Sequence, residues 1–127
     1  MQSFANRCLG ACKLKRSFDL FLQDIIDAIE KIGDYVSDMD AGDFEESSIT
    51  IDAVVRNIEI IGEAISNLPV ALREKYANIP WQEIKDFRNV VIHKYHSVDV
   101  EILWDIIQHK LEPLSEQIAT ILQKETK

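Results

Sequence analysis

The stretch Ser17–Val36, SFDLFLQDIIDAIEKIGDYV, puts Phe18, Phe21, Leu22, Ile25, Ile29, Ile32 and Val36 on one stripe. At about 100° per residue these positions stack along one side of a helix. Asp24, Asp27, Glu30 and Lys31 fall on the opposite side, so the helix buries one face and wets the other. Downstream, a second stripe is formed by Ile51, Val54, Val55, Ile58, Ile61, Ile65 and Leu68, opened by Ser48 or Thr50 as N-cap and ended by Pro69. A third runs through Val100, Leu103, Trp104, Ile107, Leu111, Leu114, Ile118 and Ile121, with Ser97 or Asp99 available as its cap. Pro113 is expected to kink or split that helix, because proline removes a backbone donor.

Between the first two helices, residues 37–48 are acidic and include Gly42, which predicts a loop with a short turn around Phe44. Only four Gly and three Pro occur in 127 residues, which suits one all-α domain with its own core. The predicted architecture is an up-and-down helical bundle of roughly four to five helices. Two helices carry surplus apolar strips, Ala53, Ile60 and Ala64 on one and Ile102 and Ile106 on the other. A twofold dimer is the economical explanation.

Charge is unevenly distributed. Residues 1–16 hold Arg7, Lys13, Lys15 and Arg16 with no acid, so 17–127 carry the other 10 basic groups against all 22 acidic ones. We therefore expect 1–16 to be an N-terminal extension and 17–127 to be the folded domain. An acidic body argues against broad wrapping of nucleic acid, which needs many phosphate contacts, and leaves room for a local basic site. Cys8 and Cys12 are the only cysteines, too few for a disulfide framework, and a reducing cytoplasm is the default. No run reaches the roughly 20 apolar residues that span a bilayer, and the N-terminus lacks a secretory pattern.

The chemistry concentrates in Arg88-Asn89-Val90-Val91-Ile92-His93-Lys94-Tyr95. A helix from Pro80 to Tyr95, with Pro80 in its first position, would align Trp81, Ile84, Phe87, Val91, Ile92 and Tyr95 on a buried arc. Arg88 would then lie in the middle of that arc, where a guanidinium must meet a carboxylate, a phosphate or a polar cleft. Glu59 and Glu63 are candidate ion-pair partners. Asn89 and His93 share a face at i,i+4, whereas Arg88 and His93 diverge by about 140° on a straight helix. Taken alone, the spacing also suits a helix-end cap for His93 and core packing for Tyr95. Glycine-rich phosphate loops, zinc-binding HExxH, CxxC and Gly-x-Ser-x-Gly elements are not found in the sequence.

Those eight residues resemble the Arg-x4-His-x-Tyr motif of HepT-like proteins, a branch of the HEPN superfamily. Thr50–Ala64 (TIDAVVRNIEIIGEA) resembles the family's second-helix signature, and Ile79-Pro80-Trp81 and Val98–Trp104 fit the flanking segments. The resemblance spans about Ser17 to Leu122. It implies a HEPN-like bundle that dimerises and brings two Arg-His motifs to a shared cleft. It also implies the toxin half of a prokaryotic toxin–antitoxin pair, a metal-independent endoribonuclease that uses no cofactor. The implied catalytic set is Arg88, His93 and Asn89, acting on RNA. The implied partner is a small nucleotidyltransferase antitoxin that adds AMP to Tyr95. The alternative is a non-catalytic dimeric module that binds a nucleotide or a partner protein.

Overall fold

The computed structural model describes residues 11–92 and 97–125, with side chains from residue 18 onward. Eight helices occur among them: α1 (Ala11–Val36), α2 (Ala41–Glu45), α3 (Ser48–Ser66), α4 (Val70–Lys75), α5 (Trp81–Lys85), α6 (Phe87–Val91), α7 (Val100–His109) and α8 (Leu111–Glu125). Four are long and build the expected bundle, and four are short and position its connections.

Helix α1 buries the predicted stripe from Leu22 to Val36, and it begins at Ala11, upstream of Ser17. Its main neighbours are α3 and α8. The acidic loop contains a true helix, α2. Asp40 caps it, accepting from the Asp43 amide at 2.8 Å, while the Asp43 carboxylate accepts in return from the Asp40 amide. That turn drives Phe44 into full burial against Trp104, with ring centroids 5.1 Å apart. Ser47, one residue before the expected cap, opens α3 by accepting from the Thr50 amide.

Helix α3 is packed on more than one side. It meets α1 and also α2, α5 and α6, and Gly62 lies beneath the Lys85 backbone. A methyl group at Gly62 would sit 3.5 Å from the Lys85 carbonyl, in ordinary contact. Ala64 and, on α7, Ile106 are buried within the single chain. These two residues of the supposed surplus strips therefore need no second subunit to cover them.

The helix expected from Pro80 to Tyr95 is not continuous. The Asp86 amide is shared between the carbonyls of Gln82 and Glu83, which tightens the backbone and separates α5 from α6. Pro80 takes the cap position and Trp81 the first helical one. The Trp81 indole donates to the carbonyls of Arg73 and Tyr76, tying α5 to the end of α4. Helix α6 ends at Val91, because Ile92 is extended and pairs with Val98 in an antiparallel bridge. The Asp99 amide then donates to the Val91 carbonyl at 2.7 Å.

Asp99 caps α7 by accepting from the Ile102 amide. The third long stripe is split, as Pro113 predicts: Lys110 separates α7 from α8, and Pro113 sits in the first turn of α8, where a missing donor costs little. At the far end Glu125 accepts from Lys75 Nζ at 2.7 Å and from the Tyr76 hydroxyl at 2.6 Å. These contacts with Glu125 hold the Lys75 ammonium and the Tyr76 phenol above their ordinary pKa values.

Phe44→Ala removes a fully buried ring from the junction of α2, α3 and α7. We expect a loss of about 3–5 kcal/mol, read from the midpoint of denaturant unfolding.

Candidate active site

Of the four site residues read from the sequence, Arg88 and Asn89 lie on α6, side by side and exposed. His93 and Tyr95 lie outside the described residues. The buried positions of this segment are Trp81, Ile84, Phe87 and Val91. The first three recur every third residue, the period of a tightened helix, so the line of burial passes beside Arg88 and not through it. Arg88 is thus not a cation within an apolar stripe. Its side chain is 46 % exposed.

It is nonetheless held. Arg88 Nε donates to Glu59 Oε2 at 2.7 Å, across the contact between α6 and α3. Glu59 is one of the two partners expected from the sequence; Glu63 is exposed and its backbone carbonyl serves the end of α3. The second Glu59 oxygen lies 3.9 Å from Arg56 Nη1, one turn earlier on α3. The predicted Arg56–Glu59 pair is therefore present and extends into a row of three charges, Arg56, Glu59 and Arg88. Among the described residues, the terminal Nη groups of Arg88 have no hydrogen-bond partner.

Cavities of about 180, 250 and 540 Å³ are bounded by described residues elsewhere on the chain, and none is lined by Arg88, Asn89 or Glu59. Arg88, Asn89 and Val90 are consecutive exposed residues of α6, Val90 at 45 %. Exposed in this way, a guanidinium and an amide can meet an anion that comes to the surface, such as a phosphodiester strand. His93 comes three residues after Val90 in the chain, past Val91 and Ile92. The role of Glu59 was visible in the sequence only as a choice between two carboxylates. Its selection depends on how α6 packs on α3.

The bundle displays Arg88 and Asn89 ahead of His93, the order of the Arg-x4-His pattern that the sequence resembles. Comparison with known proteins makes the resemblance specific: residues 25–121 match the family model described as Ribonuclease HepT-like. The chain belongs to that family, within the HEPN superfamily, and the ribonuclease class expected from the sequence agrees with it.

Among its relatives, “Probable ribonuclease HepT” of Thermococcus cleftensis is 38% identical over 101 residues, covering 80% of this chain and 92% of that protein. “Putative RNase TTE0752” of Caldanaerobacter subterraneus subsp. tengcongensis is 38% identical over 105 residues, covering 83% of this chain and 94% of that protein. “Gamma-glutamylcyclotransferase and putative RNase MJ0434” of Methanocaldococcus jannaschii is 40% identical over 111 residues. That alignment takes in 87% of this chain and only 50% of the relative, so the chain spans half the length of that protein. No solved structure matches the chain. Among the described residues, no helix is long and apolar enough to cross a membrane.

Proposed function

We propose that this protein is a metal-independent endoribonuclease, the toxin of a toxin–antitoxin pair, with Arg88, Asn89 and His93 as its catalytic set. The observation that carries this reading is the exposed Arg88, whose terminal Nη groups have no hydrogen-bond partner among the described residues, in a chain of the ribonuclease HepT-like family.

In cleavage by the adjacent 2′-hydroxyl, that oxygen attacks the phosphorus and the 5′-oxygen of the next nucleotide leaves. His93 takes the hydroxyl proton or supplies one to the leaving oxygen, the exchange for which histidine is the usual side chain. The Arg88 Nη groups hold the non-bridging phosphate oxygens and offset the charge that builds up on them. Asn89 orients His93 or the phosphate.

Silencing follows from the same electrostatics. AMP added to Tyr95 by a nucleotidyltransferase partner places a negative phosphate two residues from His93. Bulk and charge then exclude RNA. The chain acts as a homodimer in the cytoplasm, a reading supported by apolar groups that the single chain leaves outside its core. Ile102 is 38% exposed, and Val90 is exposed beside the site.

Cleavage of RNA by the metal-free protein is the direct test. Arg88→Ala and His93→Ala should each lose about 10²–10⁴-fold in rate while keeping the fold. Wild type that binds its partner and leaves RNA intact would instead establish the non-catalytic module. Intact-mass analysis after co-expression with the adjacent gene should show AMP adducts that vanish in Tyr95→Phe; an unchanged mass refutes that form of regulation. Ile102→Glu should move a dimer towards monomer in sedimentation velocity, and a monomeric wild type removes the dimer.

A further inference from the structure

We infer that Glu59 is a positioning residue for Arg88, fixing one edge of its guanidinium so that the other edge faces the substrate phosphate. The inference rests on the reading of Arg88 as the phosphate-binding group.

A guanidinium is a rigid plane with donors along its edges, and using Nε leaves the two Nη groups together as a fork. Here Nε is the donor that Glu59 takes, at 2.7 Å. The Nη groups have no hydrogen-bond partner among the described residues. An arginine 46 % exposed and unpaired would sample many rotamers and lose that freedom on binding each phosphate. Glu59 removes most of that freedom in advance. It does so from a separate helix, 29 residues away in sequence, so the placement is set by the packing of α6 on α3. Arg56 lies 3.9 Å from the other Glu59 oxygen, a longer contact than the one Arg88 makes.

Stability alone gives little reason for the contact. Both side chains are partly exposed, 46% and 33%, and pairs of that kind contribute little to folding. Their effect on orientation is retained in water, since the hydrogen bond to Nε is directional.

The test compares full-length wild type, Glu59→Ala, Glu59→Gln, Arg56→Gln and Arg88→Ala on a labelled single-stranded RNA in chelator, with thermal midpoints measured in parallel. Glu59→Ala should lower kcat/KM about ten- to hundredfold while its midpoint moves little. Glu59→Gln retains an oxygen that accepts from Nε and should recover to within about threefold of wild type. Arg56→Gln should stay within about threefold as well, since its contact is the longer one.

Two results overturn the inference while leaving the proposed function intact. In one, Glu59→Ala cleaves as fast as wild type or faster while Arg88→Ala is inactive; the carboxylate would then be a bystander or a competitor of the phosphate. In the other, Glu59→Gln is as slow as Glu59→Ala, which would assign the effect to charge and not to placement. If wild type cleaves nothing, or Arg88→Ala cleaves normally, the proposed function fails and the inference falls with it.

Discussion

A helix that is apolar on more than one side must be covered on more than one side, and α3 is that helix. Helix α1 takes one face, and the short helices α5 and α6 take another. Everything at the candidate site follows from this second contact. It closes α5 over Gly62, brings α6 alongside, and sets Arg88 opposite Glu59. The charged row formed by Arg56, Glu59 and Arg88 lies at the rim of that apolar seam. Hydrophobic burial supplies the driving force and the ion pairs set direction.

Much of the bundle was legible in the sequence, because long amphipathic periods report burial directly. The stripe from Leu22 to Val36, the cap at Asp99, the turn at Phe44 and the division near Pro113 are all local features with local causes. The break at Asp86 was not legible. Nothing in WQEIKDFRNVV interrupts a helical period; the tightening arises where Trp81, Ile84 and Phe87 fit one groove at a spacing of three. That one distortion turns Arg88 out of the apolar line in which a regular helix would have placed it. The expected environment of Arg88, within an apolar stripe, is replaced by an exposed position paired with Glu59.

The end of α6 was hidden for a related reason. Pairing between Ile92 and Val98 is a contact across a chain reversal, and no periodicity of neighbouring residues announces it. Glu59 could be nominated from the second helix by charge alone, but choosing it over Glu63 required the relative rotation of two helices. Likewise, the burial of Ala64 and Ile106 depends on packing between elements far apart in the chain.

The bridge between Ile92 and Val98, with the Asp99 amide on the Val91 carbonyl, clamps the chain on both flanks of residues 93–96. The connection between α6 and α7 is therefore fastened by main-chain pairing at residues 91–92 and 98–99, which is indifferent to most side chains at those four positions.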